Sequence, residues 1–242
     1  MTAMRLYLDS SACSLASHIA LCESKLPFST PTRNLMNLHC RFSPKALLLA
    51  SVSLLMLSPV FAQAADKFSL SSPDIAKGGK IANKFVLNGF GCKGENVSPA
   101  LVWKNAPTGT KSFAVQMYDP DAPTGSGFWH WAIYNIPASA TQLPQGAGNA
   151  ASSLPAGATG GMNDYQDTGA AGANGNYGGP CPPVGDKPHR YVLTVYALAV
   201  DDLHEAAGIP KTGTPALHGF ALNKALGNKV LGKASFTSLY GR

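Results

Sequence analysis

The chain lacks the sequence signals of several common functional classes. It has no Cys-x-x-Cys pair or other zinc-ligand spacing, and no His-x-His or His-x-x-x-His pair that could clamp a metal ion. No run of Lys and Arg residues follows the amino-terminal leader, which argues against nucleic acid as a partner. Ser126 lies in Gly-Ser-Gly, so the Gly-x-Ser-x-Gly elbow of a serine hydrolase is absent. We therefore predict no cofactor, no metal and no enzymatic activity.

A long apolar run is also missing, because the longest apolar stretch covers only residues 46–57. Arg41 and Lys45 precede this stretch, and a small-residue exit follows it at residues 59–64. This arrangement is typical of a secretory signal peptide, which we assign to residues 36–64. We expect no stable membrane insertion. The exported chain should begin between Gln63 and Asp66, and its predicted location is the periplasm or the cell exterior.

Residues 1–35 form a longer and more mixed leader than signal peptides carry, and we interpret them as the product of a misplaced start codon, with translation beginning at Met36. The remaining domain, residues 66–242, is large enough for one substantial core. Residues 1–62 hold five of the 19 Lys and Arg and two of the 13 Asp and Glu, so the exported part has a net charge of +3 rather than +6.

Cysteine is scarce in the exported part, where only Cys92 and Cys181 remain of the five in the chain. Cysteines of exported domains form disulfides more often than they stay free. Two cysteines in such a domain predict one disulfide between them.

Short apolar or alternating runs predict a mainly β domain, with strands at residues 84–87, 112–118, 131–136, 191–200 and 230–240. The run at 191–200 is apolar on both faces, which predicts burial between two layers. One helix is predicted from Pro215 to Gly227, with a short helical turn within residues 201–207. Residues 137–176 predict a long Ala/Gly/Ser/Pro-rich connection with an ordered turn at residues 163–165.

One glycine-rich motif matches a dinucleotide-binding pattern but lacks the helix that such a site requires. Residues 89–94 fit the Gly-x-Gly-x-x-Gly pattern, but a dinucleotide site requires a helix directly after it. Pro99 and the residue before it forbid that helix. We therefore predict a turn at these glycines.

Four titratable residues lie at predicted strand ends. Asp119 and Asp121 follow one strand, and their spacing on an extended backbone points both to one side. His130 opens the next strand, and His189 opens the strand that follows a stiff Gly/Pro-rich loop. Each residue alone is typical of a turn aspartate or a partly buried histidine. Together they predict a shared site.

Three separated motifs resemble the signatures of the phosphatidylethanolamine-binding protein family, most closely its bacterial Raf-kinase-inhibitor-like branch. They are Asp-Pro-Asp-Ala-Pro at residues 119–123, Trp-His-Trp at residues 129–131, and Gly-Pro-Cys-Pro-Pro at residues 179–183 with His-Arg-Tyr at residues 189–191. The resemblance runs from about Phe68 to Tyr240. It implies a two-sheet antiparallel Greek-key sandwich with a few peripheral helices.

The resemblance also implies a small cavity that binds phosphate-like anions or phosphorylated headgroups. Carried onto this chain, the residues that would line it are Asp119, Asp121, Pro123, His130, Gly179, Cys181, Pro183, His189 and Tyr191. One departure is Cys181, which stands where the animal proteins have glycine. A bond to Cys92 would hold its loop in place.

We therefore expect a non-enzymatic binding protein. The backbone N–H groups of Gly179 and Cys181 would face an anion, and both histidines would bind it with protonated rings. Asp119 and Asp121 would orient the histidines or meet an ammonium group. Two alternatives stay open. The first is an inhibitor of an enzyme or kinase-like partner, which an exposed apolar patch near the pocket would favour. The second is a small phosphoesterase.

Overall fold

The computed structural model describes residues 66–150, 153–165 and 177–242. The predictions for the leader and the signal peptide fall outside these ranges. The strands are β1 (Ser69–Ser71), β2 (Asn88–Gly89), β3 (Cys92–Lys93), β4 (Leu101–Lys104), β5 (Ser112–Asp119), β6 (Phe128–Pro137), β7 (Gln142–Leu143), β8 (Thr159–Gly160), β9 (His189–Leu198) and β10 (Val230–Tyr240). The helices are α1 (Leu203–Ala207) and α2 (Pro215–Phe220).

Five strands form the large sheet, in the order β10-β9-β5-β6-β8, and every pair in it is antiparallel. A smaller antiparallel sheet has the order β1-β4-β7. Leu101 and Trp103 of the small sheet share one buried core with Phe113 and Val195 of the large sheet. The prediction of a mainly β, antiparallel fold is confirmed.

Strand β9 is apolar on both faces because it packs against two layers. Leu193 and Val195 belong to the core between the sheets, whereas Tyr196 and Leu198 belong to a second core beneath α1 and the helical segment after α2. This agrees with the burial predicted for this strand. Its first residues, by contrast, open onto the candidate site.

The predicted strand at residues 84–87 is wrong, because Asn83–Phe85 form a short 3₁₀ helix. Val86 donates back to the Asn83 carbonyl at 3.1 Å, and Leu87 donates to the Pro180 carbonyl at 3.1 Å. Too few backbone N–H and C=O groups stay free at residues 84–87 to form a β-ladder with another strand. The glycine motif that follows is the tight hairpin β2–β3, so the prediction of a turn is confirmed.

The predicted long helix begins at Pro215, with the Thr214 side chain as its cap, but its hydrogen bonding changes along its length. A π-helical turn covers Ala221–Ala225 and a 3₁₀ turn covers Gly227–Lys229. The connection after β6 contains the two-residue strands β7 and β8, which extend the two sheets. Within the described ranges, no helix combines the length and hydropathy needed to cross a bilayer.

Candidate functional site

A cavity of about 370 Å³ opens where β5 ends and where β6 and β9 begin. Antiparallel pairing brings these ends together, because Asp119 pairs with Phe128 and Tyr118 pairs with Val192. The cavity is lined by Phe90, Asp119, Ala122, Pro123, Thr124, Phe128, His130, Tyr165, Cys181, Pro182, Pro183, His189, Tyr191 and Arg242. Most of these side chains are aromatic or apolar, so the few polar groups decide what the cavity can bind.

Asp119 is buried at this site and makes three hydrogen bonds. Its Oδ1 accepts the backbone N–H groups of Asp121 at 2.8 Å and Ala122 at 3.1 Å. Its Oδ2 lies 2.8 Å from Nδ1 of His189. The negative charge is therefore largely satisfied within the protein.

His189 lies between two carboxylates. Besides the contact with Asp119, its Nε2 lies 3.3 Å from Oδ2 of Asp186 on the exposed loop before β9. Burial of the ring disfavours the charged form, but the hydrogen bond and charge of Asp119, reinforced by Asp186, raise the pKa of His189 above its ordinary value. Of the two cavity histidines, this is the ring whose charged form the surroundings favour.

His130 is in the opposite state, which corrects the expectation that both rings are protonated. Its Nδ1 lies 2.8 Å from the Gly178 carbonyl and therefore carries the proton. Complete burial lowers the pKa of His130 to about 4. In the neutral ring, Nε2 is an acceptor, and it lies 4.0 Å from Oδ2 of Asp119. His130 thus offers a lone pair to the site instead of a positive charge.

The Tyr191 hydroxyl is buried and has no hydrogen-bond partner of good geometry among the described residues. Burial, followed by the charge of Asp119, raises the pKa of Tyr191 well above its ordinary value, and a weak contact with the same carboxylate adds the smallest contribution. The hydroxyl is therefore a neutral donor at the wall of the cavity. Tyr165, in contrast, donates its hydroxyl to the Gly179 carbonyl at 2.9 Å.

Two predicted site residues lie elsewhere. Asp119 and Asp121 do not point to the same side, because β5 ends at Asp119 and the chain turns there. Asp121 instead pairs with the Arg190 guanidinium at 2.6 Å, and this partner lowers the pKa of Asp121 to about 2. Asp121 is not among the lining residues of the cavity.

Gly179 is the second predicted site residue that does not line the cavity. Its N–H donates to the Asn96 side chain at 2.8 Å, so it is not free to meet an anion. A Cβ at this position would collide with the backbone of Phe85 and Leu87, so glycine is required here for close packing. The other predicted residues, Asp119, Pro123, His130, Cys181, Pro183, His189 and Tyr191, all line the cavity. Ligand binding by them stays a prediction.

The structure joins Cys92 to Cys181, as predicted, over a sequence separation of 89 residues and a Cα–Cα distance of 6.0 Å. The disulfide ties hairpin β2–β3 to the Pro-rich loop that forms one wall of the cavity. A sulfur in this bond cannot serve as a thiolate nucleophile. In the described part of the chain, no three His, Cys, Asp or Glu side chains are arranged to hold a metal ion.

Sequence reasoning missed several lining residues, above all Phe90 and Arg242. Phe90 occupies the turn of hairpin β2–β3 with φ of 49°, a left-handed backbone conformation that residues other than glycine rarely adopt. Its place in the glycine motif was the only available signal. Arg242 follows the last strand and carries no local signal at all.

The chain matches the sequence profile described as phosphatidylethanolamine-binding protein over residues 71–241. The chain belongs to the phosphatidylethanolamine-binding protein family. It is 44% identical to the UPF0098 protein YbcL of Escherichia coli over 190 residues, which cover 78% of this chain and 96% of that protein. The crystal structure of E. coli YbcL superposes with a TM-score of 0.63 and 42% identity, over 73% of this chain and 99% of the other.

One relative of this chain bears a name that concerns location. This relative, a Mycobacterium tuberculosis protein named as lipoprotein LppC, is 35% identical over 139 residues, which cover 57% of this chain and 59% of that protein. A family homologue from Chlamydia trachomatis has the same fold, with a TM-score of 0.54, 25% identity, and coverage of 72% of this chain and 97% of that one.

Proposed function

We propose that this protein binds small phosphate esters or inorganic phosphate in the cavity and releases them unchanged. The observation that carries the proposal is the buried Tyr191 hydroxyl, which has no partner of good geometry among the described residues. A buried donor without a partner costs about 1–3 kcal/mol. A ligand oxygen next to Tyr191 would remove this cost.

The charges around the cavity support an anionic ligand. Asp119 would repel a bare phosphate, but its two oxygens already accept three hydrogen bonds, one of them from His189. The surroundings of the His189 ring favour its charged form, which donates hydrogen bonds to an anion. The neutral Nε2 of His130 can accept a hydrogen bond from a protonated phosphate or from an ammonium group. A phosphorylated headgroup with an amine supplies both kinds of group.

The relatives add support of a more general kind. The family is named for phosphatidylethanolamine, whose headgroup is a phosphate ester that carries an ammonium group. The lipoprotein name of one relative suits a place in the cell envelope, and we propose export to the periplasm or the cell exterior, as the leader of this chain predicts. Both points remain proposals for this chain.

Calorimetric titration with inorganic phosphate and with phosphoethanolamine tests the proposed function. Tyr191→Phe removes only the hydroxyl, and we expect it to weaken binding about tenfold, because a hydrogen bond to a charged group contributes about 1.5–3 kcal/mol. Tyr196→Phe is the matched control, since Tyr196 lies on the same strand beneath the helices and its hydroxyl is 3.4 Å from Asn223.

A second readout separates loss of a ligand contact from loss of structure. The ligand-free Tyr191→Phe variant should melt at the same temperature as the wild type or higher, because an unpaired buried hydroxyl is removed. Equal phosphate affinities in the wild type and Tyr191→Phe would contradict the proposal. Release of inorganic phosphate from phosphoethanolamine would show that the protein is an enzyme.

A second candidate function is binding of a protein partner at the cavity mouth. Phe90 and Val184, on the two segments that the disulfide joins, are 55% and 77% exposed. Exposed apolar side chains beside a cavity favour contact with another molecule. A purified partner should bind the wild type and bind the Val184→Ser variant more weakly, while phosphate affinity stays unchanged, because Val184 does not line the cavity.

A further inference from the structure

Arg242 holds a fixed position at the mouth of the cavity. Its Nε donates to the Pro182 carbonyl at 2.6 Å, and its Nη2 donates to the Phe90 carbonyl at 3.2 Å. These two carbonyls belong to two different segments that line the cavity, the Pro-rich loop and hairpin β2–β3. The guanidinium head is therefore oriented before any ligand arrives, which reduces the entropy lost on binding.

Arg242 forms no ion pair with any Asp or Glu of the described residues. Arg190, Lys111 and Lys211 each form an ion pair with a carboxylate, whereas Arg242 contacts only backbone carbonyls. Carbonyls satisfy donors but leave the positive charge in place. Its Nη1 makes no hydrogen bond within the described ranges and lies close to Gly91, which has no side chain to fill the space.

Three charged groups line the cavity, and two of them form a pair. Asp119 and His189 offset each other through their 2.8 Å contact. Arg242 is the lining charge that forms no ion pair with an Asp or Glu of the described residues. A guanidinium matches the geometry of phosphate oxygens through parallel N–H donors, so this is the chemistry that phosphate esters require.

We propose that Arg242 binds the anionic oxygens of the ligand at the cavity mouth and determines the preference for phosphorylated compounds. This inference rests on the proposed phosphate-binding function and adds its main cationic contact. Nothing in the local sequence assigns this role to Arg242. The residue also has a structural use, because it links the two walls, and the test must separate that use from binding.

Calorimetric titration of the mature protein with inorganic phosphate provides the test. We expect Arg242→Gln to weaken the affinity about tenfold and Arg242→Lys to recover most of it, because the lysine keeps the charge but loses the fork. Arg190→Gln is the matched control. It removes an arginine that is paired with Asp121 outside the cavity, and it should change the affinity less than about twofold.

The salt dependence supplies a readout that a purely structural role would not change. Wild-type affinity should fall as ionic strength rises from about 20 to 200 mM, and the fall should be shallower in Arg242→Gln. A wild type that binds phosphate with Arg242→Gln at the same affinity would overturn this inference and leave the proposed function intact. Equal losses in Arg242→Gln and Arg242→Lys, with equally lowered melting temperatures, would show that Arg242 is only a structural link. Absence of phosphate binding in the wild type would refute the proposed function itself.

Discussion

At the scale of single residues, the two cavity histidines differ because their partners differ. His189 contacts two carboxylates, which raise its pKa despite the burial of its ring. His130 contacts a backbone carbonyl, and burial lowers its pKa to about 4. One residue type thus provides a ring whose charged form is favoured at one point of the cavity and a neutral acceptor at another.

The affinity for an anion should therefore depend on pH through His189. Because its pKa is raised, the ring is protonated below that value, and affinity should fall as pH rises through it. Glycerophosphoethanolamine is a suitable probe, since its phosphodiester keeps one charge between about pH 6 and 9. Calorimetry over this range should show the fall in the wild type. His189→Gln should abolish it and His130→Gln should not, and a fall that persists in His189→Gln would contradict the assignment.

The two aspartates of the motif at residues 119–123 should also differ in their effect on His189 and on ligand binding. Asp119→Asn removes the charge beside His189, so the pKa of His189 should fall and binding should weaken near neutral pH. Asp121→Asn breaks only the surface contact with Arg190. It should leave the pKa of His189 and the ligand affinity unchanged. NMR titration of the His189 ring in the two variants measures the difference. A similar effect of both substitutions would show that Asp121 acts at the site.

At the scale of elements, the short helices α1 and α2 meet through two buried histidines. Nε2 of His204 lies 3.1 Å from Nε2 of His218, and Nδ1 of His218 donates to the Thr214 carbonyl at 3.0 Å. His218 therefore accepts at Nε2, and His204 donates. The ring of Tyr134 stacks on His218 at a centroid distance of 4.2 Å. If His218 were protonated at Nε2 as well, its N–H group would point at the N–H group of His204.

The stability of this region should fall in acid. Burial lowers the pKa of both His204 and His218, so the unfolded chain binds protons that the folded chain does not. Their contribution is complete above the unfolded value of about 6.5 and is lost as pH falls below it. Urea unfolding at about pH 7.5 and 5.5 should show a smaller decrease in His218→Asn than in the wild type, and an unchanged decrease would contradict this cause.

At the scale of the whole molecule, the cavity is held together by contacts between distant segments. The disulfide and Arg242 both join hairpin β2–β3 to the Pro-rich loop, and Asn96 anchors that loop through the Gly179 N–H. The sheets supply Asp119 and the two histidines from one end of the sandwich. The positions of the cavity walls thus depend on cross-links between segments, while the positions of the polar side chains depend on strand pairing.

Loss of the disulfide should lower stability. A closed loop of this length stabilises by roughly 4 kcal/mol on the chain-entropy estimate, although native strain often reduces the figure. The Cys92→Ser/Cys181→Ser variant should show a decrease of about 2–4 kcal/mol in the free energy of unfolding. Thiol titration of the denatured, unreduced wild type should find no free thiol in the exported chain. Two free thiols would show that the bond does not form.

Local patterns in the sequence were sufficient for the strands, the helix start at Pro215 and the motifs that carry the family resemblance. Alternation and apolar content depend on neighbouring residues, so β5, β6, β9 and β10 could be read directly. The short run at residues 84–87 could not, because its backbone groups find partners in distant loops. The disulfide followed from composition and compartment, since only two cysteines were left to pair.

The tertiary structure alone decided which groups face the cavity and in what state. Asp119 and Asp121 are equivalent in the sequence, but the turn after β5 sends one into the cavity and the other to Arg190. The charge states of His130 and His189 depend on burial and on partners far along the chain. Phe90 and Arg242 reach the mouth only because the hairpin and the last strand end beside the same loop. Such contacts leave no trace in a local pattern, because they are fixed by packing between segments that are distant in sequence.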